Sequence, residues 1–414
     1  MFSRAFIDNP YSHYREWLES GRIFWPEAFL GGAWVVPHYK DITELLRDNE
    51  RLTSEKAGSL VLQFPPEYRD ELRNLDDYIS NWLSFIDPPR HLRIRRLLQK
   101  GFTPEVLNSF RPRVQQIVDD LLDTAIARGT GQLDMIADFS YQLPVRVVGM
   151  MLGIPASEHG QFMKWMDSIA MFIGSATARV EDGRAAKMAL DSLTGYFREL
   201  LPERRRNPGK DLISILVAAE EEGDVLTENE LYAQCVFFLF AGHETTSNLI
   251  GNTMLCLLRN PDQLDLVRRQ PELIGGMIEE TLRSEAPFQY TFRQARQDFE
   301  LFGQPISKGQ IVIFPFAAAN RDPEVFAEPD KYDITRKKNV QLTFGYGVHH
   351  CIGSAVARME AEVAYSTIFG RMQQITMLNE QADWHEVFRF RGLKTLPIAF
   401  ELSPNPASCP SLPN

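Results

Sequence analysis

Apolar residues return every three or four positions through most of the middle of the chain. Between residues 90 and 285 the pattern is mainly helical, clearest in "VQQIVDDLLDTAIA", "ALDSLTGYFRELL" and "DLISILVAAEEE". Nearer the start, "RIFWPEAFLGGAWVVPHY" reads as two short strands around a Gly-Gly turn, with a helical "YKDITELLRD" after it. Strand patterns come back in "FELFGQPISKGQIVIFPFAA" and "FRFRGLKTLPIAFEL". The expected class is therefore mostly α with a smaller β portion.

One helix departs from the amphipathic rule. It opens at "TENE", where Thr227 and Glu230 make a capping box, and runs to Asn260-Pro261. Roughly 33 residues at about 1.5 Å each span about 50 Å, enough to cross the whole molecule. Its middle, "CVFFLFAG", has no polar face, which places that part in the interior. Weak helix formers follow at once. Gly242 costs about 1 kcal/mol against alanine in a helix interior, and Thr245 and Thr246 add β-branching. Close helix packing is the plain explanation for such residues; a site against the helix is the other.

Composition narrows the partners. The 414 residues carry a net charge of −11, which argues against a nucleic-acid backbone or an anionic membrane surface as main partner. No linker divides the chain, so one domain over residues 1–414 is expected, with an ordered core over about 8–402 and a fraying Pro/Ser-rich tail at 403–414. "MFSRAFIDNPYSHYREW" has neither a signal-peptide core nor a membrane span, so the cytoplasm is the expected compartment. The four cysteines, Cys235, Cys256, Cys351 and Cys409, are too dispersed for a disulfide framework.

Cys351 stands out among them. In "FGYGVHHCIG" it lies between Gly347 and Gly353, just ahead of the helical "SAVARMEAEVAYSTIFGRM". Glycines permit unusual backbone angles, and a helix start offers free N–H groups that favour thiolate. Such a sulfur can be a nucleophile, a zinc ligand or an axial haem ligand. Zinc wants further spaced ligands, and His349 and His350 are too close in sequence to supply them. A nucleophile needs a base that nothing local identifies. A buried structural cysteine is the usual reading of a lone one.

The stretch resembles Phe-x-x-Gly-x-x-x-Cys-x-Gly, the haem-binding loop of the cytochrome P450 family. The resemblance implies that Cys351 is the axial thiolate, with Phe344 and Gly353 framing its loop, and that the fold is that of the family, haem lying between the long helix and the cysteine-loop helix. "AGHETT" resembles the family's oxygen-binding segment, which would set Ala241 and Gly242 against haem and make Glu244 and Thr245 an acid–alcohol pair for protons, with His243 in a variable position. In "EETLRSEAP", Glu280 and Arg283 share one helix face and by resemblance buttress the core together with "NRDPEVFAEPDKYDITR". "DPPRHLRIRRLL" and "FRQARQDFEL" resemble the segments that hold haem propionates, giving His91, Arg95 and Arg293 in preference to Arg296, with His349 beside the cysteine. Two positions depart from the family's habit: Val356 replaces a frequent leucine, and His350 a frequent aromatic residue.

The resemblance spans roughly residues 8 to 402. It implies a soluble, monomeric haem b monooxygenase that takes O2 and draws electrons from a separate ferredoxin and NAD(P)H-dependent reductase, docked near Arg95, Arg96, Lys100 and Arg358. By position, Phe64, Trp82, Phe85, Phe237, Phe240, Ala241, Gln289, Thr291 and Phe390 would line the substrate pocket. That mainly apolar set suits a lipophilic small molecule, such as a polyketide, macrolide, terpenoid or fatty-acid-like compound, hydroxylated or epoxidised in secondary metabolism. A peroxide-driven or oxidative-coupling enzyme is the alternative, and a non-catalytic haem sensor the alternative of another class.

Overall fold

The Thr227 hydroxyl accepts from the Glu230 N–H at 3.2 Å, and the Glu230 carboxylate accepts from the Thr227 N–H at 3.1 Å, so the expected capping box is formed. In the computed structural model, which describes residues 4–26, 32–55, 61, 64–174, 179–221 and 226–404, this helix runs over Glu228–Arg259 and ends as Asn260 leaves helical geometry. Seven helices matter for the site: α1 Arg90–Gln99, α2 Pro104–Ile126, α3 Gln142–Met151, α4 Val180–Arg206, α5 Glu228–Arg259, α6 Ile274–Ser284 and α7 Ser354–Arg371. The long helix, α5, packs against α3, α4, α6 and α7.

The two ends of α5 belong to different apolar clusters. Leu231 to Phe240 join one with Leu97, Phe172 and Leu193, whereas Leu249 to Leu257 join another with Val118, Ile278 and Ala364. Residues 241, 242, 244 and 245 between them are partly accessible in a helix that is otherwise largely buried there. The glycines of α5 separate on the same basis. A Cβ on Gly251 would lie 2.5 Å from Ile136 Cδ1, so that glycine permits close packing, but one on Gly242 would meet Val148 at an ordinary 3.6 Å. Helix packing thus explains Gly251 and not Gly242.

The strands form small sheets at the flank. Thr291–Ala295 is central to one, antiparallel to Ile311–Phe314 with Arg293 opposite Val312, and antiparallel to Leu52–Thr53. Trp34–Val35 adds in parallel to Ile311–Phe314. The pattern of two strands around Gly-Gly is reduced to a single antiparallel bridge, Phe24 to Val35; Gly31 lies outside the described residues. After Phe314, Pro315 ends the strand and the alanine-rich Phe316–Ala319 coils into a short helix rather than extending it. A second sheet joins Gln132–Asp134, Pro397–Leu402 and Met372–Met377. Cys409 and residues 405–414 lie outside the described part. No helix among the described residues is long and apolar enough to cross a membrane.

Glu280 and Arg283 on α6 are fully buried, not solvated. The Arg283 Nε and Nη2 donate to both carboxylate oxygens at 2.9 and 2.8 Å, and its remaining N–H groups reach the carbonyls of Asn320, Pro329 and Lys331. Glu280 also accepts from Arg336, Asn339 and the Asp333 N–H. This pair pins the segment before the cysteine loop to the helical core.

Candidate functional site

The loop around Cys351 is built by two left-handed glycines. Gly345 and Gly347 have φ of +74° and +70°, which side chains with a Cβ rarely adopt. Gly353, expected to share that role, has φ −85° and caps α7 in ordinary geometry. The Cys351 N–H donates to the Phe344 carbonyl at 2.7 Å, folding the loop so that the sulfur opens into a cavity also lined by α5. Cys351 is exposed to that cavity, yet the surrounding protein desolvates the sulfur and pushes its thiol up, against the N–H groups of Gly353 and Ser354 and the charges of Arg95 and Arg358. The N–H groups of the helix start act on the sulfur in the expected direction and desolvation opposes them; binding to a metal ion would favour the thiolate.

Polar side chains around the sulfur lack the partners that burial demands. His91 is fully buried, and neither ring nitrogen has a hydrogen-bond partner among the described residues. Burial, with Arg95 and Arg293 nearby, pushes it down to about 4 despite Asp87. Its ring lies 4.2 Å from that of His349, which contacts Ser54 Oγ at 3.1 Å. Arg293 is buried on the central strand and reaches only Thr291 Oγ1 and its neighbour's carbonyl, with burial pushing it down to about 10. Arg296, by contrast, is taken by Asp87. A buried imidazole with no hydrogen-bond partner and a buried guanidinium with no ion pair among the described residues, beside an open thiol, fit a group that carries its own anions and a metal to bind the sulfur. A haem does. No cluster of three His, Cys, Asp or Glu side chains among the described residues is placed to hold a metal ion on its own.

Across the cavity, α5 presents Phe237, Ala241, Thr245 and Leu249, four residues apart and so on one stripe. The Thr245 hydroxyl donates back to the Ala241 carbonyl at 2.9 Å. Glu244 lies behind this stripe, accepting from Asn248 Nδ2 at 3.1 Å, and burial raises its carboxyl. His243 points the other way, where its Nε2–H donates to the Tyr141 carbonyl at 3.1 Å.

Of the expected pocket residues, Phe85, Phe237, Phe240, Ala241, Thr291 and Phe390 line the cavity; Phe64, Trp82 and Gln289 do not. Phe64 stacks on Phe172 in the apolar core. Trp82 is wholly buried behind Phe237 and Phe240, and the Gln289 amide is spent on Tyr14 and the Ala286 carbonyl. Being aromatic in the right segment does not distinguish lining from core. Two charged residues that sequence reasoning passed over, Glu360 and Arg389, line the cavity. Arg389 sits in "FRFRG", where no local rule separates an inward arginine from a solvated one.

Two residues of the expected docking set lie at the site. Arg95 lines the cavity, and Arg358 pairs with Glu279 while lying 4.5 Å over the Phe344 ring. Both are committed to the loop.

The family model described as Cytochrome P450 matches residues 66–383. The biotin biosynthesis cytochrome P450 of Bacillus subtilis (strain 168) is 36% identical over 400 residues, covering 96% of this chain and 98% of its own. Among solved structures, P450BioI in complex with hexadec-9Z-enoic acid ligated acyl carrier protein superposes with a TM-score of 0.87 at 35% identity, covering 96% of this chain and all of its own. Myxobacterial CYP267B1 in complex with myristic acid gives 0.86 at 34% identity, covering 97% and 98%.

Proposed function

The chain belongs to the cytochrome P450 family and is a monooxygenase of it, and from that premise we propose that it inserts one oxygen atom from O2 into a lipophilic molecule with a long hydrocarbon part. The observation that carries this reading is the shared cavity, with Cys351 on one side, Thr245 on the other and an apolar wall of Phe85, Phe237, Phe240 and Phe390. The solved P450BioI and CYP267B1 complexes hold acyl chains, which favours a fatty-acyl substrate; a polyketide or terpenoid skeleton is the other outcome. Electrons come from a separate ferredoxin and its NAD(P)H-dependent reductase.

Cys351 would hold the iron of haem b, and His91, Arg95, Arg293 and His349 its propionates. Haem held by a thiolate would supply dioxygen activation when bound. The chain's own part is positional. Burial raises the Glu244 carboxyl and so favours its protonated form one residue from Thr245, whose hydroxyl is held by Ala241 and can pass protons into the cavity. The aromatic wall excludes water from the reacting end of the substrate.

The test is a ligand panel on the haem-loaded protein, read by the ferric low-to-high-spin shift and by product formed with a ferredoxin and reductase. Acyl chains should give both. Product with peroxide alone, or gas binding with no product from any ligand, would overturn the reading. Thr245→Ala should keep haem and the spin shift but lower product per electron by about tenfold or more, releasing peroxide. Fully coupled turnover in that variant would remove the proton role of Thr245.

A further inference from the structure

Of the four buried arginines among the described residues, two have an obvious anion and two, Arg293 and Arg389, make no ion pair. Arg283 has Glu280, and Arg391 has Glu285 with the Ile7 carbonyl. Arg389 has none. It is 9% exposed and lines the cavity; its Nε is buried without a hydrogen-bond partner, and its guanidinium makes no ion pair among the described residues. Its backbone is fixed by the antiparallel bridge of Phe390 to Phe288, with the Gln289 N–H donating to the Arg389 carbonyl at 3.0 Å. The guanidinium carbon lies 5.3 Å from the Phe288 ring centre and 5.5 Å from that of Phe292.

A guanidinium cannot shed its proton, so burying one without an anion is costly. Two aromatic rings recover only part of that cost. On the proposed reading His91, Arg95, Arg293 and His349 would serve the propionates, which leaves Arg389 as a cation in excess of the cofactor's need. We propose that Arg389 is the counter-ion for a substrate carboxylate, so that the preferred ligand is a lipophilic free acid held by its charged end, not an ester or thioester. Planar N–H pairs suit a carboxylate bidentately, and the aromatic wall leaves hydrocarbon as the match for the rest. The inference rests on the monooxygenase reading and names the polar end of its substrate.

The experiment compares tetradecanoic acid with its methyl ester, and 5β-cholanic acid with its methyl ester, by isothermal titration and spin shift on haem-loaded wild type, Arg389→Leu and Arg389→Gln. Wild type should bind at least one acid about tenfold or more tightly than its ester, as a charge-assisted hydrogen bond commands. Both variants should shrink that ratio to within about twofold while binding the ester as before. If Arg389→Leu does not fold, Arg389→Gln carries the comparison. A ratio that survives in the variants, or no preference for the acid on either skeleton, overturns the assignment. So does loss of haem with the ratio intact, which would give the guanidinium to the cofactor. If only the cholanic pair binds, with an Arg389-dependent ratio, the acyl reading fails and the counter-ion stands. If neither acid binds, both fall.

Discussion

Replacing Cys351 with alanine is expected to abolish the strongly red-shifted Soret band of the reduced, carbon-monoxide-bound protein, together with turnover. Neither of the other described cysteines, Cys235 and Cys256, can substitute, because both are buried in α5 and burial holds their thiols far up. The loop itself should survive, since its shape comes from Gly345, Gly347 and the backbone bond to Phe344, not from the sulfur. Linkage adds a second effect. A cofactor present at about a thousand times its dissociation constant adds roughly 4 kcal/mol to the folded state, so weaker binding should lower the melting temperature. His350→Ala, which touches no bond to the sulfur, should keep the band. Retention of the red-shifted band by the Cys351→Ala protein would disprove thiolate ligation at this position.

Glu280→Ala should be the most damaging substitution away from the cavity. It deletes the carboxylate that satisfies Arg283 and Arg336 at once and leaves a wholly buried guanidinium without its anion. Removing one partner of a buried pair costs about 3–5 kcal/mol. Against a total stability of about 5–15 kcal/mol, that is a large share. Because Arg283 and Glu280 hold Asn320, Asp333 and Asn339 in the run leading to the cysteine loop, haem retention should fall with stability. Replacing both with apolar residues, Glu280→Leu with Arg283→Met, should be milder than Glu280→Ala, since no charge is then stranded. Urea unfolding followed by circular dichroism, with haem content in parallel, reads both. A loss below about 1 kcal/mol for Glu280→Ala, the range of a surface pair, would mean that the network is solvated after all.

How far the sequence could be read depends on whether the cause was local. The cap at Thr227, the length of α5 and the glycine loop before Cys351 are set by neighbours in the chain, and all three were legible. His91 and Arg293 were reached only by resemblance, because they lie far apart in the chain and no local rule marks either as buried. Phe64 and Trp82 misled for the opposite reason: aromatic residues serve core and pocket alike, and only the packing of Phe172, Phe237 and Phe240 around them decides. The helix-start argument for a thiolate named the N–H groups that favour it and left out the desolvation of the sulfur that opposes them. Arg389 was hidden because an arginine in an extended, alternating stretch is ordinarily solvated, and what makes it buried is the distant strand residue Phe288.

The division of α5 between two apolar clusters has a bearing on motion. A rod clamped at both ends and open to a cavity along one face between them opens first on that face. Here the middle holds Gly242 and Thr245, whose hydroxyl bonds back along the helix in a manner that loosens it. Amide exchange around 241–246 should then run ahead of exchange in Leu231–Leu239 and Leu249–Leu257, through local openings that need not unfold either cluster. The helix can thus yield over the cavity to admit or release a bulky guest while its two anchored ends keep the register of everything packed against them.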